Sequence, residues 1–225
     1  MTKTEVLRLN AVEALKWLRA KLRSRSGRTL VGIDGILGAG KAQFADELAE
    51  LLRESGISVV RVSMRDFANP KQVRQAAGEH TGIGYYQNYF NLPGFIENVI
   101  EPLSRLGSGR YLTKYYDADS ECDCPHKWGI APDESVVLVD GLFLHREEFA
   151  PEGRKLWDVS VWLELPFSEA FRRLHESLGL DASPVAPSNA RYYEAEQHYI
   201  ESCDPAMKAD LVVDNAEEFH EPVDE

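Results

Sequence analysis

The sequence predicts an α/β domain with a parallel sheet covered by helices on both faces, and three observations predict it. Short apolar runs alternate with stretches of helical period along most of the chain, the pattern of strands joined by crossover helices. One of these runs, TLVGID, passes through a glycine-rich loop straight into a helical stretch. The chain has 225 residues, 44% of them hydrophobic, enough for one sizeable core and short for two, so residues 1–225 read as a single domain.

Each element has its own warrant. Residues 1–27 read as an amphipathic helix, because Val12, Leu15, Leu18 and Leu22 fall on one stripe. Residues 29–34 form a short buried strand, and 41–54 a helix with Phe44, Leu48, Leu51 and Leu52 on one face. Four more apolar runs give strands at 57–63, 136–144, 159–165 and 209–215, with helical patterns at 95–106, 167–178 and 191–203. The segment GRYLTKYYD, 109–117, reads as an edge strand or hairpin, and 216–225 as an acidic tail.

Charge narrows the partners. The 25 basic and 37 acidic residues leave a net of −12, which argues against broad binding to nucleic acid or to an anionic membrane surface. Residues 1–30 hold eight of the basic and two of the acidic residues, so 31–225 hold 17 against 35, a net of −18. A basic first helix of this kind is read as a solvated amphipathic helix rather than a targeting segment. No apolar run reaches membrane-spanning length, and the expected compartment is the cytoplasm. Three cysteines, Cys122, Cys124 and Cys203, fit a reducing compartment, and CDCPH, with no second ligand cluster, reads as an ordinary loop.

The stretch GILGAGKA, Gly35 to Ala42, carries the chemistry. Gly35, Gly38 and Gly40 let backbone N–H groups, with those of Ala39, Lys41 and Ala42, converge on an anion. The helix that follows adds its positive end, and Lys41 a mobile cation for β and γ phosphates. Strand, glycine loop, helix is the order a P-loop needs. Asp140, at the end of the apolar run VVLVD, stands where a second carboxylate holds magnesium, directly or through water.

These segments together resemble the uridine kinase family of P-loop nucleoside kinases, a group that includes phosphoribulokinase and bacterial pantothenate kinase. The resemblance runs over 29–215 and rests on VGIDGILGAGKAQFADEL, VSMRDFANP, GYYQNYFN, VLVDGLFL, WDVSVWLELPFSEAFRR, RYYEAEQHYI and ADLVVDN in that order. It implies a P-loop kinase fold and transfer of the ATP γ-phosphate, with Mg2+, to a hydroxyl of a small acceptor such as a nucleoside, under a mobile lid that with the helix after it is placed here at 174–205. Oligomers are common in such families, so a homo-oligomer is an expectation.

Carried over residue by residue, the resemblance breaks at three places. Ala42 stands where the family has the Ser or Thr hydroxyl that coordinates magnesium. Arg65 stands where an Asp commonly accepts the acceptor's proton, leaving Asp66 as the substitute base, at a strand end where neighbouring residues point opposite ways. Residues 174–190 contain no Lys or Arg where family lids supply arginine clamps, and Arg172 and Arg173 before them are placed facing solvent. On the acceptor side Tyr116, Arg191 and Gln197 match positions that line the pocket, although aromatic residues at helical spacing are as readily core. Two readings follow: a kinase with weakened activity, or a catalytically inactive nucleotide-binding pseudokinase with a regulatory or scaffolding role.

Overall fold

The computed structural model describes residues 3–22 and 26–216. The acidic tail beyond residue 216, and residues 1–2 and 23–25 of the helix expected over 1–27, lie outside the described residues; residues 26 and 27 are not helical, Gly27 having a left-handed φ of 82°.

The chain opens with α1 (Lys3–Leu22), then β1 (Thr29–Gly35), α2 (Lys41–Glu54) and β2 (Ser58–Ser63). Short helices α3 (Lys71–Ala76), α4 (Gly82–Asn88) and α5 (Leu92–Phe95) follow, the last continuing through a π-helical stretch, Ile96–Ile100, into α6 (Glu101–Leu103). Two small antiparallel pairs come next: β3 (Arg110–Leu112) with β6 (Trp128–Ile130), and β4 (Tyr116–Asp117) with β5 (Cys122–Asp123). The chain then returns through β7 (Ser135–Asp140), β8 (Val159–Glu164), α7 (Phe167–Leu178), α8 (Ala190–Cys203), α9 (Pro205–Lys208) and β9 (Leu211–Asp214).

The five long strands form one parallel sheet in the order β2-β7-β1-β8-β9. Because β1, β7 and most of β8 are buried on both faces, they read as unbroken apolar runs. All five predicted strands are present, and the predicted helices at 41–54 and 167–178 have the bounds read from periodicity.

The helical stretch expected over 95–106 starts earlier, at Leu92, and ends at Leu103. The strand expected over 136–144 ends at Asp140. Beyond it the Leu144 amide donates to the Asp34 carboxylate rather than to a neighbouring strand, and Phe143 takes a left-handed φ of 65°. The stretch 109–117, read as an edge strand or hairpin, lies in the small hairpins, with Arg110–Leu112 in β3 and Tyr116–Asp117 in β4.

Helix α1 lies along α2, burying Ala11, Ala14, Leu15 and Leu18; of the expected stripe Leu15 and Leu18 are buried, while Val12 and Leu22 are half-buried. Among the described residues no helix is long and apolar enough to cross a membrane.

Candidate functional site

The sheet order sets where a site can form. Strands β7 and β1 are neighbours, β2 lies outside β7, and all point the same way, so their carboxyl ends bring Gly35, Ser63 and Asp140 to one edge. Gly35 leads into the loop and then into the N-terminus of α2.

Within the loop, Gly38 and Gly40 have φ of 85° and 83°, values a side-chain-bearing residue takes only at a cost. Gly38 is also sterically required, since a Cβ there would lie 2.6 Å from the Ala170 carbonyl oxygen of α7. Gly40 takes the position before the first turn of α2, and no side chain caps that helix. Its first amides, Lys41, Ala42 and Gln43, therefore have no partner within the helix, the arrangement that suits an incoming anion.

The loop's shape is held from outside. Asp34 at the end of β1 is fully buried: one oxygen accepts from the Gly35 amide (2.8 Å), the other from the Leu144 amide (2.9 Å), His145 Nδ1 (3.0 Å) and the Tyr199 hydroxyl. On the other side Asn215 Nδ2 donates to the Ala39 carbonyl (2.7 Å), while the Asn215 carbonyl accepts from Arg173. The Ala39 amide closes a tight turn onto Ile36 O (3.0 Å).

Lys41 folds its ammonium onto the carbonyls of Gly35 (2.9 Å) and Ile36 (2.7 Å). Burial lowers its pKa, against the upward pull of Glu196, Asp34 and Asp140. Glu196 of α8, almost fully buried, accepts the Leu37 amide at Oε1, and its other oxygen, Oε2, has no hydrogen-bond partner. Burial pushes its carboxyl up to about 8, although the Leu37 amide and Lys41 both favour the ion.

A cavity of about 430 Å³ opens over the loop. Its floor is Leu37, Gly38, Gly40 and Lys41 to Gln43; Ser63, Arg65, Asp140 and Leu142 stand at the strand ends; Tyr85, Tyr89 and Phe90 form an aromatic wall, and α7 supplies Arg173 and Leu174. Three cations, Lys41, Arg65 and Arg173, therefore line a cavity in a strongly acidic protein. Arg173 does not face solvent as expected: it is buried, bonded to Glu169 (2.8 Å) and Asn215. Its neighbour Arg172 is partly exposed and pairs with Glu169 and Glu176.

The predicted site residues separate into two groups. Gly38, Gly40, Lys41, Ala42 and Asp140 line one cavity, with Gly35 and Ala39 shaping its loop. Arg65 lines it too and pairs with Asp119 at the surface. Asp66 turns to an ion pair with Lys114 (3.5 Å) and is not among the lining residues; burial raises its pKa and Lys114 pulls it down. On the acceptor side, Tyr116 bonds Glu121 (3.1 Å), Arg191 lies over the rings of Tyr192 and Tyr85, and Gln197 donates to the Tyr193 hydroxyl (2.9 Å). Of these only Arg191 approaches the cavity, through Tyr85 on its wall.

Asp140 is where a magnesium ion was expected, and the residues there do not fit one as they stand. The loop offers a methyl group at Ala42 in place of a hydroxyl. Asp140 Oδ1 accepts from Arg61 Nη2 (2.8 Å) and Oδ2 from Ser63 Oγ (2.9 Å), so both oxygens are engaged and a cation is already in contact. A divalent ion about 4 Å from that guanidinium would be repelled by about 8 kcal/mol at an effective dielectric of 20, before nearby carboxylates are counted. Among the described residues no group of three or more His, Cys, Asp or Glu side chains is arranged to hold a metal.

Arg61, Glu196 and Asn215 were not among the candidates read from sequence. Arg61 carried a signal, since a guanidinium inside the apolar run ISVVRVS needs a partner. The loop contacts of Glu196 and Asn215 bridge 159 and 176 positions of sequence, and no local pattern announces them.

Comparison with known structures agrees at the level of fold. The chain is similar to a possible uridine kinase from Bacillus stearothermophilus (24% identity, TM-score 0.69, covering 90% of this chain and 98% of that one). It is also similar to a protein described with like reserve as a fructose transport system kinase, from Silicibacter sp. TM1040 (22%, 0.66, 94% and 98%). A third is D-glycerate 3-kinase from Cryptococcus neoformans (11%, 0.56, 89% and 90%). No protein-family model matches the chain, and no curated protein matches it in sequence. The fold is that of the P-loop kinases, an α/β P-loop domain, as the sequence resemblance led one to expect.

Proposed function

We propose that this chain binds ATP through the Gly35–Ala42 loop and transfers the γ-phosphate slowly to a hydroxyl of a small acceptor such as a nucleoside. The observation that carries the reading is that Lys41 and the uncapped start of α2 line one cavity of about 430 Å³. Arg173 supplies a clamp-like charge from α7, so the lack of cations in 174–190 does not leave the cavity without one. Magnesium enters this reading as the chelate ATP carries in solution rather than as an ion held by Asp140.

A second reading is favoured by one observation: Arg65 lines the cavity where a base would act, while Asp66 is drawn off to Lys114. On that reading the chain is a binding-only pseudokinase with a regulatory or scaffolding role. We further propose that the chain acts in the cytoplasm and assembles into homo-oligomers.

Labelled ATP with magnesium and a nucleoside panel separates them. Slow transfer supports the kinase. ATP binding without transfer, with turnover created by Arg65→Asp, supports the pseudokinase; a restored base is worth about 10²-fold or more in rate. Lys41→Ala should weaken ATP binding by about tenfold or more in calorimetry under either reading. ATP that fails to bind at millimolar concentration would overturn both.

A further inference from the structure

In the P-loop design inferred from the sequence, a metal ion bridges the loop hydroxyl and the acid after the neighbouring strand. Here both positions face a third residue. Arg61 and Ser63 are two apart on β2 and so share a face; Arg61 pairs in register with Leu138 and Ser63 with Asp140. The Arg61 side chain runs forward along that face. Its Nη2 meets Asp140 Oδ1 at 2.8 Å and the Ala42 carbonyl at 3.5 Å; Nε meets Asp46 of α2 at 2.9 Å, and Nη1 the Leu138 carbonyl at 3.1 Å. Acceptors on α2 and on β7 thus hold one planar cation between the two residues that would otherwise share a metal.

We propose that the Arg61 guanidinium stands in for the divalent ion, so that the loop holds the polyphosphate of a nucleotide without a protein-bound metal. The inference rests on the nucleotide-binding reading above. Two features of the molecule agree. Ala42 removes a metal ligand without cost if no metal is bound, and its backbone oxygen lies 3.5 Å from the guanidinium. Ser63 and Arg61 each donate to one Asp140 oxygen, so both oxygens are engaged and the carboxylate's charge is balanced by the guanidinium before a phosphate arrives. Magnesium demands a near-octahedral oxygen shell, and to reach Asp140 it would have to build that shell beside the guanidinium already in contact there. An arginine is a permanent charge with fixed donors and needs no such shell. It lies behind Ala42 and Asp140, which themselves line the cavity, so Arg61 is a positioning residue that sets the charge of that wall.

The test is calorimetry of ATP with the full chain, once in excess magnesium and once in EDTA, with folding of every variant checked by thermal melting. Wild-type affinity should agree between the two conditions within about threefold, well under the tenfold that one charge-assisted contact is worth. In Arg61→Gln the charge of Asp140 is exposed, so affinity in EDTA should fall by about tenfold or more and magnesium should restore much of it. Arg61→Lys keeps the charge and should keep EDTA binding within reach of wild type. In Arg61→Gln with Asp140→Asn the magnesium dependence should vanish again. The proposal is overturned if wild type binds ATP at least about tenfold more tightly with magnesium than in EDTA, or if Arg61→Gln binds in EDTA as wild type does. The first comparison needs no variant. Absence of ATP binding in both conditions would overturn this inference together with the reading beneath it, whereas binding only with magnesium would overturn this inference alone.

Discussion

Around the phosphate loop the groups available to a ligand are main-chain amides and one lysine, fixed by Asp34 on one side and Asn215 on the other. At the ends of β2 and β7, along the same cavity, they are side chains, and there nearly every expected group is replaced or occupied. Arg65 lines the wall, Asp66 turns away, and Asp140 is held by Arg61 and Ser63. A backbone cradle depends on glycines and on anchors that hold the turn, so changing its chemistry means changing its fold. A side-chain constellation can be rewritten one substitution at a time with the sheet intact. That difference explains how a chain can keep the glycine loop of the P-loop fold while the side chains around it differ from those expected.

The contrast can be broken at its anchor. Asp34→Ala leaves four buried donors without an acceptor: two amides, an imidazole nitrogen and a phenol. We expect a loss of about 3–5 kcal/mol, or a melting temperature lower by about 10 °C, and ATP affinity falling with it. A variant that melts like wild type would show that the loop does not depend on this anchor.

A smaller effect tests whether the loop is purely a backbone device. The Glu196 carboxyl, bonded to the Leu37 amide, is raised from an ordinary 4.5 to about 8 by burial. A folded-state pKa above the unfolded one contributes stability that is complete below about pH 4.5 and is lost as pH rises through about 8. Glu196→Gln has no such loss, so its melting temperature relative to wild type should climb from about pH 4.5 to about pH 8 and then level off. ATP affinity of the wild type should fall over the upper part of that range, as a carboxylate beside the loop becomes charged, and that of Glu196→Gln should not. Parallel pH profiles would place Glu196 outside the loop's electrostatics.

The smallest effect belongs to the acceptor side. Tyr116→Phe removes one hydrogen bond to Glu121, worth less than about 1 kcal/mol at a site that keeps its packing, and should leave ATP affinity unchanged. Should steady-state kinetics instead show a raised KM for an acceptor, Tyr116 would belong to the pocket and not to the structural cluster around Arg74 and Glu121.

How much of this was legible in the sequence follows the same division. The five strands, the helices at 41–54 and 167–178 and the loop were readable because each is a local pattern: apolar runs, helical period, glycine spacing. The end of β7 was misplaced because VVLVDGLFL is apolar throughout, and what stops pairing at Asp140 is the distant Asp34 taking the Leu144 amide. Arg173 read as a surface residue because its partner carbonyl lies 42 positions away. The losses at Ala42 and Arg65 were visible as letters, but the arginine that compensates the first could be located only once β2 lay beside β7.

Asn215 ties the loop to time as well as to space. Its side chain grips the Ala39 carbonyl across 176 positions, and the same residue accepts from Asn10 and Arg173. A nascent chain emerging from the ribosome has β1, the loop and α2 long before it has β9, so the turn waits for its clasp until almost all of the sheet has been synthesised. The segment that handles the ligand should thus be among the last parts of this protein to reach final form, with competence to bind appearing only when the outermost strand docks.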